Sequence, residues 1–112
     1  MTECLFCRIV TGEIPAEVVA TSEHAMAFRD INPTAPTHVL VIPTRHVVDV
    51  PALAQAPTEL ADLISLGARV AAQEGLDDGY RLVANTGRAG GQVVFHAHLH
   101  VIGGRRLGWP PG

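Results

Sequence analysis

Lysine is absent from this chain: all eight basic residues are arginine. Chemistry that starts from a primary amine is thereby excluded, both a Schiff base and the lysine of a Walker phosphate loop. Serine occurs only as Ser22 and Ser65, neither in a nucleophile-elbow context, which argues against a serine hydrolase. No apolar run approaches the roughly 20 residues needed to span a bilayer, so no membrane partner is expected. The N-terminus lacks the basic start and long apolar stretch of a secretory signal. Cys4 and Cys7 are therefore expected in a reducing cytoplasm, without a disulfide framework. The net charge is −3 and the arginines are scattered rather than gathered into a stripe, so polymeric nucleic acid is not an expected partner.

The 112 residues, 47% of them hydrophobic, suit one domain over 1–112 with a single core. Cys4–Val10 reads as a short helix ended by Gly12 and Pro15. Val18–Ala20 and Ala25–Phe28 read as strands around the polar turn Ser22-Glu23-His24. A loop, Asp30-Ile31-Asn32-Pro33 to Pro36, leads to Val39–Ile42, an apolar run typical of a strand covered on both faces and closed by Pro43. Leu60, Leu63, Ile64, Val70 and Ala71 recur at helical spacing, with Thr58 as the expected N-cap and Glu59 and Asp62 complementing the first turn's dipole. Gly75 ends this helix, and Asp77-Asp78-Gly79 turns into a strand over Tyr80–Ala84. After the glycine-rich loop Thr86–Gly91 and Gln92, a last strand is expected over Val93–Ile102, followed by Gly103-Gly104 and an irregular tail, Trp109-Pro110-Pro111-Gly112. The pattern is that of a mixed α+β domain.

Histidine is the abundant reactive side chain. Side chains alternate across a strand, so His96, His98 and His100 project from one face while Ala97, Leu99 and Val101 face the core. A lone histidine is ordinarily structural, but three partnerless rings on one face would each cost about 1–3 kcal/mol, which argues for a ligand, a metal or a hydrogen-bond network. An imidazole can attack phosphorus while its neighbours bind phosphate oxygens or protonate the leaving group. Alternatively, the rings can hold a metal that activates water. Spacing alone does not choose, although the absence of any carboxylate after Gly79 favours phosphorus chemistry.

Gly87, Gly90 and Gly91 permit close backbone approach to a phosphate, a signal that acquires weight only beside the histidine strand. Cys4-Leu5-Phe6-Cys7 has the spacing that places two thiolates on one cation, with His46 as a candidate further ligand; a pair of buried or redox-active thiols explains the spacing equally well.

The segment His96-Ala97-His98-Leu99-His100-Val101-Ile102 resembles the defining motif of the histidine triad superfamily. The likeness runs nearly end to end with its nucleotide-binding branch, the Hint proteins, through Gly12-Glu13-Ile14-Pro15, Asp30-Ile31-Asn32-Pro33, Ala35-Pro36-Thr37-His38, Gly90-Gly91-Gln92 and Trp109-Pro110-Pro111-Gly112. That resemblance implies a HIT-like fold, a five-stranded antiparallel sheet with one long and one short helix, joined into a ten-stranded sheet in a homodimer. It also implies hydrolysis of purine nucleoside phosphoramidates and related conjugates, releasing a nucleoside monophosphate.

By the same resemblance His98 is the nucleophile, His100 contacts the phosphate or leaving group, and His38 and His96 complete the catalytic set. Asp30 holds the ribose hydroxyls; Leu5, Phe6, Ile9 and Phe28 enclose the base; Asn85, Gly91, Gln92 and Val93 approach the phosphate; and Trp109 belongs to the nucleotide site. Some bacterial relatives carry one structural zinc at positions matching Cys4, Cys7, His46 and His96, which implies a closed site that the chemistry does not require. Val93 departs from the serine or threonine common in this branch, and a lost preorganised donor can cost on the order of a hundredfold in rate. Two other readings stand beside the hydrolase: a nucleotide-binding or protein-interaction module with little catalysis, and a zinc-dependent hydrolase.

Overall fold

The computed structural model describes residues 4–112. Its strands are β1 (Val18–Thr21), β2 (Ala25–Arg29), β3 (Thr37–Pro43), β4 (Tyr80–Val83) and β5 (Leu99–Gly103). Its helices are α1 (Leu5–Val10), α2 (Val50–Leu53) and α3 (Pro57–Gln73). The strands form one antiparallel sheet in the order β1-β2-β3-β5-β4. Every residue of β3 is buried, as the run Val39–Ile42 predicts for a strand covered on both faces. Among the described residues, no helix is long and apolar enough to cross a membrane.

The two faces of the sheet carry different cores. Leu63, Leu66, Val70 and Ala71 of α3 bury the face formed by Ala25, Ala27, Val39, Val41, Leu99 and Val101. Their spacing puts them on one helical stripe. The opposite face holds Phe6, Phe28, Leu40 and Ile42, closed by α1 with Ile9 and Val10. His38 and His100 share this second face, because His100 stands opposite Leu40 across the β3–β5 ladder and His38 lies two residues from Leu40. The face that carries His38 and His100 is thus the one that the long helix leaves uncovered.

Several expectations need correction. The last strand does not run from Val93; the ladder begins at Leu99 and continues to Gly103. The register pairs Val41 with Leu99, so Ala97 would face Pro43, which has no N–H to give. The Ala97 amide bonds the Val47 carbonyl instead, at 2.6 Å. The inside–outside alternation of His96, Ala97 and His98 nevertheless persists in this non-ladder segment, with Ala97 in the α3 core. β4 stops at Val83 rather than Ala84, whereas β1, β2 and β3 extend past the expected ends.

Thr58 is not the cap of α3. The helix starts at Pro57, whose fixed φ and missing N–H suit the first helical position, and Ala56 precedes it without a side-chain cap. Asp62 does not serve the helix dipole either: its carboxylate accepts the Ser22 hydroxyl at 2.6 Å and the His24 backbone N–H at 2.9 Å, fixing the β1–β2 turn onto α3. The single-turn helix α2 was not expected, since four residues carry no periodicity; Asp49 caps it by accepting the Ala52 N–H at 2.9 Å. Gly104 closes β5 with φ +91° against Pro36, a conformation and a contact that only glycine fits.

Leu63 is fully buried and Thr58 is exposed. Denaturant unfolding should show Leu63→Ala lowering stability by about 2–5 kcal/mol and Thr58→Ala by less than about 0.5 kcal/mol. A cost near 1 kcal/mol for Thr58→Ala would restore it as a cap.

Candidate active site

His98 is 7% exposed, and its Nδ1 lies 2.7 Å from the His96 carbonyl oxygen. A carbonyl only accepts, so Nδ1 carries a proton, and in the neutral ring Nε2 keeps its lone pair. The Phe6 ring meets the imidazole edge-on, with centroids 5.2 Å apart, and fixes its plane. Among the described residues no buried side-chain nitrogen or oxygen lacks a partner. The unpaired Nε2 is therefore the edge open to an incoming group.

A second chain of bonds fixes His38 and His100. The Thr34 backbone N–H donates to His38 Nδ1 at 3.1 Å, which places the His38 proton on Nε2. That N–H donates to His100 Nδ1 at 2.9 Å, so His100 carries its own proton on Nε2. Burial, followed by the neighbouring His98 and His38 imidazoles, pushes the His100 pKa down to about 4. His100 is thus a neutral ring at pH 7 that presents an N–H. Asp30 Oδ2 stands 3.5 Å from His38 Nε2; because the Thr34 amide holds His38 neutral, this is a polar contact rather than an ion pair. The same tautomer argues against a cation shared by Asp30, His38 and His100, since His38 Nε2 has no free lone pair.

His96 is fully buried and turned the other way. Its Nε2 donates to the Pro43 carbonyl at 2.8 Å, leaving Nδ1 bare, and burial lowers its pKa, which keeps the ring neutral. This Nδ1 lies 3.3 Å from Cys4 Sγ, 3.6 Å from Cys7 Sγ and 3.2 Å from His46 Nδ1. Cys7 Sγ is 3.4 Å from His46 Nδ1. Zinc bonds of about 2.05 Å to nitrogen and 2.3 Å to sulfur set tetrahedral edges of roughly 3.3–3.8 Å, and these four separations, 3.2–3.6 Å, lie close to that range. The Pro43 carbonyl supplies the outer hydrogen bond typical of a ligating imidazole. Burial and the adjacent Cys4 thiol raise the Cys7 pKa, a bias toward the neutral thiol that a cation would reverse. With two sulfurs and two nitrogens the set is complete, which leaves no position for a reactive water.

The remaining predicted residues divide. Phe6 and Phe28 are buried against each other at 5.6 Å with Ile9 beside them, while Leu5 stands at the rim, 43% exposed. Gln92 does not offer its amide to a ligand: Oε1 accepts the Gly87 N–H at 2.9 Å, and Nε2 donates to the Val48 and Val94 carbonyls. Asn85 likewise donates to the Gly90 carbonyl at 2.7 Å. Both side chains shape the loop that contains the single 3₁₀ turn Arg88–Gly90, and Gly91 follows in a left-handed conformation. Val93 and Trp109 are 83% and 86% exposed, so neither side chain is packed against the histidines. Sequence reasoning missed the Thr34 amide and the Pro43 carbonyl, which set two of the tautomers. Backbone groups leave no mark in residue identity.

The HIT domain family model matches residues 11–107. The chain belongs to the HIT family. It is 47% identical over 111 residues to an uncharacterized HIT-like protein of Synechococcus elongatus, covering 98% of this chain and 97% of that one. It is 49% identical over 113 residues to a 14 kDa zinc-binding protein of Zea mays, with 96% and 87% covered. Among solved structures, the HIT family hydrolase of Legionella pneumophila superposes with a TM-score of 0.91 at 49% identity, covering 97% of this chain and 99% of that one. The five-stranded sheet with its long and short helices is the HIT-like fold.

The low His100 pKa has a measurable consequence. A histidine whose pKa falls from 6.5 when unfolded to about 4 when folded contributes stability that is complete above pH 6.5 and lost as pH falls toward 4. Denaturant unfolding at successive pH values should show this decline, and His100→Asn should flatten part of it. An identical pH profile in the variant would contradict the assignment.

Proposed function

We propose that this HIT family member is a hydrolase of purine nucleoside phosphoramidates and related nucleotide conjugates. The observation that carries the reading is the bond from His98 Nδ1 to the His96 carbonyl, which leaves His98 Nε2 as a bare, oriented nucleophile. In the first step Nε2 attacks phosphorus and the bond to the amine breaks, the amine leaving with a proton from solvent that the attacking water of the second step returns, while the His100 N–H donates to the phosphate or leaving group. Water then attacks the same phosphorus, the P–N bond to His98 breaks, and a nucleoside monophosphate departs. Asp30 accepts the ribose hydroxyls, and Phe6, Phe28, Ile9 and Leu5 form an apolar slot that takes a flat purine. Similarity to a HIT family hydrolase supports the reaction class.

Cys4, Cys7, His46 and His96 hold one structural zinc in this reading, supported by the tetrahedral outline and by similarity to a zinc-binding protein. Bound there, zinc supplies fixed geometry rather than an activated water. A homodimer through β4 is part of the same proposal: β4 is an edge strand, and its Tyr80 and Leu82 are partly exposed. The proposed location is cytoplasmic. A nucleotide-binding module with little catalysis remains a second reading, favoured by Val93, which brings no hydroxyl, and by Gln92, whose amide is engaged within the loop.

The decisive assay is release of AMP from adenosine 5′-phosphoramidate. The native protein should turn over and His98→Ala should lose at least about a thousandfold in kcat while remaining folded. Val93→Ser should raise the rate, by up to about a hundredfold if its hydroxyl donates to the transition state. AMP binding without turnover in the native protein would favour the module. Zinc should raise the melting temperature of the protein stripped by chelator, and Cys7→Ser should lessen that rise; equal melting with and without zinc would remove the structural role.

A further inference from the structure

Cys4 and Cys7 stand within a single turn. Cys4 caps α1, and its Sγ accepts the Cys7 backbone N–H at 3.4 Å. Both thiols are free and partly accessible to solvent. Their sulfurs lie within 4.8 Å of each other and of the His46 and His96 nitrogens. A disulfide requires the sulfurs to close to about 2.05 Å, a movement that rotation of two side chains on one turn supplies. The pair can therefore hold a cation or bond to itself, but not both.

What the pair holds in place is the wall of the active site. Between the two cysteines α1 carries Phe6, which is 4% exposed and packs edge-on to His98 at 5.2 Å and to His96 at 5.8 Å. The His96 ring points at the sulfurs, while its carbonyl accepts the His98 Nδ1 proton. Two routes thus lead from the thiols to the nucleophile, one through a side-chain stack and one through a residue's backbone.

We propose that Cys4 and Cys7 form a reversible oxidation site whose disulfide expels the metal and loosens the nucleotide site, an inference that rests on the nucleotide reading above. With hydrogen peroxide as oxidant, one thiolate attacks a peroxide oxygen, the O–O bond breaks, and hydroxide leaves as water after taking a proton. The resulting sulfenic acid is attacked by the second thiolate; the S–S bond forms and a second hydroxide leaves as water. The thiols lose two electrons and the peroxide gains them. Two imidazoles remain where four ligands stood, too few to retain zinc. A dithiol reductant reverses the step by exchange. Freed from His96 and His46, α1 no longer presses Phe6 on His98, and the base slot loses one wall.

The test follows zinc-loaded protein through peroxide treatment and then through dithiothreitol with added zinc. Intact mass should fall by about 2 Da on disulfide formation, and a chromogenic chelator should register released zinc. Calorimetry should show AMP affinity falling by roughly fivefold or more, and amide exchange should quicken across 5–10 and near His98. Reduction with zinc should restore all four readouts, and the double variant Cys4→Ser, Cys7→Ser should not respond to peroxide in any of them. Oxygen addition without a disulfide, or a disulfide that leaves zinc bound, would overturn the oxidation site. A disulfide with unchanged AMP affinity and unchanged exchange would overturn its coupling to the active site. If the reduced, zinc-loaded protein binds no AMP, the nucleotide reading fails by itself, and mass, zinc release and exchange still judge the oxidation site.

Discussion

The His96 carbonyl accepts the His98 Nδ1 proton at 2.7 Å, and the chemistry proposed for this chain depends on that bond. Without it the imidazole could place its proton on either nitrogen, and a large part of its population would present an N–H where a lone pair is needed. The bond is dependable because His96 is itself held: buried completely, bonded through Nε2 to Pro43, and turned through Nδ1 toward Cys4, Cys7 and His46. One residue therefore belongs to the Cys4–Cys7–His46 cluster by its ring and to the proposed nucleophile by its backbone.

The fold supplies the rigidity for this. β3 is buried along its whole length, and Pro43 at its end pairs with Ala25 of β2, which fixes the Pro43 carbonyl. Because Pro43 has no N–H, the β3–β5 ladder stops short of Ala97, and the segment carrying His96 and His98 is free to turn its backbone carbonyl toward a side chain. On the far side of the site, the Thr34 amide sets His38, and His38 sets His100. Each buried ring thus has its tautomer assigned by a neighbour, and burial keeps His100 neutral. The arrangement sets a bare nitrogen beside a neutral donor, which suits attack on phosphorus better than it suits metal-activated water.

Much of this was legible in the residues. The alternation of His96, His98 and His100 with Ala97, Leu99 and Val101 places the rings opposite the α3 core even where the strand ladder is absent, because alternation follows from extended backbone rather than from pairing. Cys4-Leu5-Phe6-Cys7 allowed a shared cation site as readily as a plain thiol pair, and the fold brings both sulfurs together with His46 and His96. Boundaries fared less well. Thr58 has the chemistry of a cap, but Pro57 took the first helical position, and Asp62 was recruited by Ser22 and His24 from another element. Gln92 and Asn85 have the donors to bind phosphate, yet both bond to nearby backbone in the loop. Such choices between local and distant partners depend on tertiary geometry, which residue type alone does not carry.

The most direct test of this account is the protonation pattern of the imidazoles, read from ¹⁵N-detected correlation spectra of the ring nitrogens at neutral pH. The account predicts a proton on Nδ1 of His98, with its Nε2 unprotonated, and a proton on Nε2 of His38, His96 and His100. A proton on Nε2 of His98 would contradict it, for the nitrogen assigned to attack phosphorus would then have no lone pair to offer.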